Sequence, residues 1–240
     1  RRGDRITFHV TVRDMEAPLV WKDAAGVVGP RPRIERVERS LPTQAGVAMK
    51  PGEIPSGGFV SFVLSARNFK PYSTLLLGCA ESSFTLRPLE LHVGQQAANA
   101  ALRIATPESL FLSLDPGVVG QNGCTLAATL SNPVEGRSDA KALGKIMRLP
   151  QIESFQLTAE KAGAVGYVGI LKGQDLELIA KTGWDASDGV PVNELPAPVA
   201  GETLRQSLRV ILPWPSPLPH APLYIWLRGE TEGRATAVQY

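Results

Sequence analysis

The sequence predicts an all-β chain built from antiparallel sandwiches. Three observations carry this: apolar residues recur with a period of two, prolines punctuate the whole length, and the second half of the chain echoes the first. Of the 240 residues, 43% are hydrophobic and 20% charged, the balance of a folded globular protein rather than a disordered one. The 20 prolines and 23 glycines follow no collagen-like period. Each proline removes a backbone donor and fixes φ, which disfavours long helices and suits short strands joined by tight turns.

In chain order, Ile6-Thr7-Phe8-His9-Val10-Thr11-Val12 alternates apolar and polar side chains, as a half-buried strand does. Phe59 to Leu64 and Thr74 to Leu77 are short apolar runs bounded by Gly, Pro and Ser. Phe84-Thr85-Leu86 and Leu89 to Val93 alternate. Leu110 to Leu114 runs into Asp115-Pro116-Gly117, where proline presets φ and glycine accepts a positive φ. Cys124 to Leu130 alternates again. In the second half, Tyr167 to Leu171, Leu176 to Ala180, Leu208 to Leu212 and Leu223 to Leu227 carry the same pattern. Strands at intervals of roughly 8–15 residues, about seven per half, have the spacing of an antiparallel sandwich. Two windows favour helix, Gln95 to Ala101 and Ser138 to Lys145; the first has only Gly201-Glu202-Thr203 as its counterpart and reads equally as a loop.

Internal similarity runs in a shared order. Pro32 precedes Arg33-Ile34-Glu35, and Pro150 precedes Gln151-Ile152-Glu153. Leu64 to Phe69 aligns with Leu171 to Leu176, Gly78-Cys79 with Gly183-Trp184, and Ala101 to Ile104 with Ser207 to Val210. Cys124 to Leu130 aligns with Ala221 to Leu227 and continues ungapped into Glu135-Gly136-Arg137 against Glu232-Gly233-Arg234. Ala17-Pro18-Leu19-Val20-Trp21 resembles Ala221 to Trp226, and Ile6 to Val12 falls where Ser207 to Leu212 falls. The expected organisation is therefore residues 1–31 as the terminal strands of a partial repeat or a complementing segment, 32–149 as a first repeat and 150–240 as a second.

The strand spacing, the Pro-x-Ile-Glu openings and the Glu-Gly-Arg closings resemble bacterial secreted and cell-surface proteins with immunoglobulin-like repeats, broadly of the IPT/TIG type, over residues 32–240. The resemblance implies tandem immunoglobulin-like antiparallel β-sandwiches, and with them surface display, adhesion or the spacing of a binding head. It transfers no catalytic residues, because the scaffold has none of its own.

Cys79 and Cys124 are the two cysteines, compatible with one disulfide in an oxidising compartment or with two buried thiols. A bridge closing a loop of about 45 residues stabilises by about 3–4 kcal/mol on the chain-entropy model. Trp184 and Ala221 take the cysteine positions in the second half, a large ring beside a small residue. The net charge of +2 is too even to argue for nucleic acid. No apolar run reaches the about 18 residues of a membrane span. The chain opens on Arg1-Arg2-Gly3-Asp4 with no signal peptide, and a segment of a longer precursor is the expectation.

Chemistry-bearing motifs are few. His9, His92 and His220 sit in separate segments without a second ligand at metal spacing. There is no Gly-x-Ser-x-Gly elbow, and Glu81, Glu90 and Glu108 read as solvated. Gly117 to Gly123 is glycine-rich but leads into a strand, so no helix N-terminus would cradle a phosphate. Arg2-Gly3-Asp4 spells an integrin-type tripeptide, which chance supplies easily. Pro213 to Pro219 is stiff and extended, presenting Trp214 either as a binding aromatic or as a loop packed on the sandwich.

The expected function is a non-catalytic extracellular structural or adhesive module, outside the cell, on its surface or in the periplasm, with no cofactor and no metal. Its partner is protein, through self-association or neighbouring immunoglobulin-like domains. A sharper form makes it a fibre subunit, assembling head-to-tail through the N-terminal strands. The alternative is a carbohydrate-binding accessory module of a secreted enzyme, with Trp21, Trp184, Trp214 and Trp226 as candidate platforms, three of them at strand positions where burial is expected.

Overall fold

The computed structural model describes residues 3–40, 46–81, 88–164, 166–202, 204–213 and 220–239. The described residues hold no α-helix, only two 3-10 turns at Pro116–Val118 and Leu176–Leu178. Two compact units divide the chain. The first comprises Arg1–Ser40, Phe59–Gly120 and Cys124–Gly144, the second Leu41–Gly58, Gln121–Gly123 and Lys145–Tyr240.

The first unit begins with a hairpin of β1 (Arg5–Val10) and β2 (Leu19–Gly26), a two-stranded sheet of its own. β3 (Arg33–Ser40) follows; β4 (Glu53–Pro55) belongs to the second unit. Then come β5 (Val60–Arg67), β6 (Thr74–Cys79), β7 (Leu89–His92), β8 (Gln96–Ala97), β9 (Ala100–Thr106), β10 (Ser109–Leu114), β11 (Thr125–Asn132), β12 (Gly136–Arg137) and β13 (Lys141–Met147). One sheet has the order β3-β5-β10-β9-β8, the other β13-β11-β6-β7, with β12 on β11. Lettered along the chain, these are A-B-E-D and G-F-C-C′, the immunoglobulin order. The period of two sets the core: Val60, Phe62 and Leu64 of β5, Leu110, Leu112 and Leu114 of β10, and Leu126, Ala128 and Leu130 of β11 are all buried, as alternate side chains on a pleated strand must be.

Both windows that favoured helix are extended: one becomes β8 and the start of β9, the other most of β13. Windows this short do not hold a helix by propensity alone, and burial of Leu102, Leu143 and Ile146 rewards the strand instead. The segment Phe84-Thr85-Leu86 lies outside the described residues.

The second unit contains β14 (Gln151–Ala162), β15 (Gly166–Gln174), β16 (Ile179–Gly183), β17 (Val190–Pro191), β18 (Ala197–Pro198), β19 (Gln206–Pro213), β20 (Pro222–Leu227) and β21 (Arg234–Gln239). Its sheets run β14-β15-β19-β18 and β17-β16-β20-β21, again A-B-E-D and C′-C-F-G. Leu171, Leu208, Val210 and Leu212 from one sheet meet Ile179, Leu223, Ile225 and Leu227 from the other in one cluster. Leu176 to Leu178, expected to open a strand, forms the 3-10 turn with Leu176 buried beneath it, and the strand starts at Ile179. Trp226 is buried among glycines: a Cβ on Gly189 would stand 2.5 Å from its ring and one on Gly233 2.8 Å away.

Residues 46–55 are woven into this unit. Val47 bridges Thr236, the Ala48 N–H donates to the Ala235 carbonyl (2.8 Å), and the Ala237 N–H donates to that of Gly46 (2.7 Å). β4 pairs in parallel with the end of β13, Glu53 opposite Lys145. This places Glu53 against Arg234, whose side chain is 1% exposed. Arg234 Nη1 and Nη2 donate to the two Glu53 oxygens at 2.6 and 2.7 Å, and Nε donates to Glu230 at 2.8 Å, with Nη2 on the other Glu230 oxygen. Arg234 also donates to the Ala48 carbonyl at 3.1 Å, and Lys50 Nζ lies 3.5 Å from Glu230. Burial by itself would raise the Glu53 and Glu230 carboxyls; hydrogen bonds and charge from Arg234 overcome it and hold both below the usual carboxylate range. Burial opposes the Arg234 charge too, and the two carboxylates more than reverse that.

Cys79 and Cys124 form a disulfide, Cα atoms 5.6 Å apart. It joins the end of β6 to the start of β11, two neighbours in one sheet (C and F), rather than crossing between sheets as the B–F bridge of antibody domains does. The Glu81 carboxylate accepts from the Thr125 N–H beside it at 2.9 Å.

Replacing both cysteines by serine is expected to lower unfolding free energy by about 3–4 kcal/mol, measured by guanidinium denaturation against the oxidised parent. Glu53→Gln is expected to cost about 3 kcal/mol, because it leaves a buried guanidinium short of a charge partner. Since Glu53 and Glu230 have depressed folded pKa values, their contribution is complete above the ordinary carboxylate value of 4.5 and is lost as pH falls through the folded ones. Stability curves should therefore drop in acid more steeply for the parent than for Glu53→Gln.

Candidate functional site

The hairpin β1–β2 is where the molecule departs from its own folding rule. Its register sets Ile6 opposite Ala25, Phe8 opposite Trp21 and Val10 opposite Leu19. Residues directly opposite in an antiparallel pair share a face, so these six form one apolar surface. The other face carries His9 opposite Val20, and Arg5 opposite Gly26. A bulge between Ile6 and Phe8, where Asp23 takes a left-handed φ of 57°, adds two residues to β2 and so keeps Trp21 and Ala25 on the same side. Gly3 N–H to Val27 carbonyl (3.0 Å) and Val27 N–H to Asp4 carbonyl (2.8 Å) extend the ladder.

Nothing among the described residues covers that surface. Phe8 is 48% exposed and Trp21 55%, with Ile6, Val10 and Leu19 close behind. Among the described residues neither strand pairs with a third. Two strands alone are marginal in water.

The four tryptophans have separate fates. The strand position of Trp21 predicts burial, yet it is exposed, because among the described residues the hairpin has no second sheet across it. Trp226 is in the second core. Trp184 is partly buried, edge-on to Phe155 with ring centroids 6.1 Å apart, and its Nε1 donates to the Pro213 carbonyl at 3.1 Å. Trp214 lies outside the described residues, as does Arg2 of the Arg2-Gly3-Asp4 tripeptide. The matching of Ile6 to Val12 with Ser207 to Leu212 also fails strand for strand: β19 and β20 lie in different sheets, whereas β1 and β2 pair with each other. As a hairpin, β1–β2 is like β20–β21.

His92 Nδ1 lies 3.2 Å from Thr74 Oγ1. Among the described residues no three His, Cys, Asp or Glu side chains gather as a metal site would require, and no helix is long and apolar enough to cross a membrane. Sequence reasoning missed the Arg234–Glu53–Glu230 cluster, although the Glu-Gly-Arg closing held one end of it.

No family model matches the sequence, and neither does any curated protein; the IPT/TIG resemblance is therefore not carried past an immunoglobulin-type β fold. Among solved structures, bovine butyrophilin is similar with a TM-score of 0.34 at 10% identity, over 84% of this chain and 99% of that one. At that score the likeness adds nothing to the strand order of the two units.

Proposed function

We propose that the chain is a non-catalytic structural or adhesive module of the extracellular space, cell surface or periplasm, and that it joins a neighbouring β-sandwich through its N-terminal hairpin. The face of exposed Ile6, Phe8, Val10, Leu19 and Trp21, with half-buried Ala25 beside them, carries the reading. Its place in the series supports it: β1–β2 precedes Pro32-Arg33-Ile34-Glu35 as β11 and β13 precede Pro150-Gln151-Ile152-Glu153. The hairpin thus stands where the F and G strands of a further immunoglobulin-like repeat would stand, with 32–149 and 150–240 as the next two. Supplied by a second subunit, the complementing strands would build a head-to-tail fibre. The disulfide fits an oxidising compartment.

A carbohydrate-binding module is the second reading, favoured by the exposed Trp21 lying cross-strand from Phe8. The aliphatic neighbours of that pair offer no hydrogen bonds to sugar hydroxyls, which weighs for a protein partner.

Light scattering on size-exclusion fractions separates the readings. The parent is expected to associate as its concentration rises, and Phe8→Ser with Trp21→Ser to remain monomeric with the same cooperative melt. A parent that is monomeric at every concentration removes the self-assembling form. Glycan-array binding that disappears on Trp21→Ala would replace the protein partner with a carbohydrate.

A further inference from the structure

Three arginines of the first unit share one hollow. Arg31, Arg33 and Arg137 line a hollow of about 300 Å3 with Pro30, Asn68 and Asp139. Among the described residues none of the three is in an ion pair, whereas Arg36 pairs with Glu38 and Arg67 with Glu35 close by in the chain. The hollow therefore sets three guanidinium charges against the single carboxylate of Asp139.

The backbone under these side chains is fixed. Pro30 and Pro32 flank Arg31 and restrict φ, and Pro32 is buried. Asn68, in the left-handed region at φ 58°, donates from Nδ2 to the Arg31 carbonyl at 3.0 Å. Its own carbonyl accepts from Asn132 Nδ2 at 3.0 Å, and Asn132 Oδ1 accepts from the buried Ser73 Oγ at 2.5 Å. Arg137 is held on β12 against Ser131 of β11. Gly136 takes a left-handed φ of 90°, and Arg31 Nε lies within ordinary contact distance of it, 3.9 Å from where a Cβ would stand.

The second Glu-Gly-Arg closing shows what such an arginine takes. Arg234 is buried at the start of β21 and holds Glu53 with both Nη atoms, a carboxylate presented by the extended strand β4. Arg137, on the short strand β12, is exposed and is in no ion pair among the described residues. β3 begins at Arg33 and among the described residues pairs on one side only, with β5, an edge to which an extended backbone could add.

From these observations we infer that the Arg31–Arg33–Arg137 hollow is a docking site for an acidic, extended peptide segment of another polypeptide, whose carboxylates the three guanidinium groups receive. The inference stands apart from the hairpin reading, since no residue is shared. Fluorescence anisotropy of labelled hexaglutamate titrated with the full chain at low salt tests it. Binding is expected, weakened about three- to fivefold by each of Arg31→Gln, Arg33→Gln and Arg137→Gln, the scale of one exposed ion pair. Arg103→Gln, an exposed arginine elsewhere on the same unit, should leave it unchanged, and unaltered melting temperatures keep all four variants comparable. Absence of binding at millimolar peptide overturns the inference. Equal weakening by Arg103→Gln does so as well, reducing the effect to net charge. A sulfated tetrasaccharide that binds where hexaglutamate does not would assign the hollow to a polysaccharide instead.

Discussion

A β-sheet with one apolar face has to be covered by a second sheet, and the architecture of this chain follows from how that requirement is met. Alternate residues of each strand point to one side, so a run such as Val60-Ser61-Phe62-Val63-Leu64 commits Val60, Phe62 and Leu64 to a common face before any partner is chosen. In each unit an A-B-E-D sheet and a sheet built on C, F and G meet the requirement for each other. The immunoglobulin order arises because successive strands of the chain are shared between the two layers. The hairpin β1–β2 has the same alternation and the same kind of face but no covering layer among the described residues. Its exposure is the one large uncompensated term in the described fold, and that gives it functional weight.

Polar residues refine the same scheme. Ser73, Asn132 and Asn68 tie the ends of β6, β11 and β5 together in the first unit with every buried bond made between named partners. In the second unit the heavier device is Arg234, whose burial is tolerable because two carboxylates and a carbonyl surround it. Such a cluster adds little net stability over apolar packing, but removing one member is costly. It therefore selects which segment lies along β21: residues 46–55 bring Glu53, and an extended segment without a carboxylate at that position would leave the guanidinium uncompensated.

Much of the fold was legible. Strand positions, the turn at Asp115-Pro116-Gly117 and the inward residues of β5, β10, β11, β19 and β20 follow from local alternation and turn chemistry. The pairing of Cys79 with Cys124 needed only that two cysteines exist in chemically compatible strands. Where reading failed, a long-range contact decided against a local preference. The alanines around Gln95 favour helix until Leu102 is drawn into the core. Leu176 reads as a strand residue but serves as the plug beneath a 3-10 turn. Trp21 reads as buried because strand tryptophans usually have a sheet across them.

The candidate surfaces divide in the same way. The alternating Ile6, Phe8 and Val10 were visible at once, since a pleat repeats every two residues and needs no partner to be recognised. That Trp21 and Leu19 join them on one face depended on hairpin register and on a bulge at Asp23. Arg137 is about a hundred residues from Arg31 and Arg33, and Arg234 is 181 from Glu53, so only closure of the sheets brings each set together. Local pattern was enough for most of the strands, their turns and their apolar faces, which rest on interactions within a few residues, and it left the two cysteines open between a bridge and free thiols. The tertiary structure alone decided which strands became neighbours, which charges found partners and which face stayed open, because those depend on loop closures whose outcome no local pattern encodes.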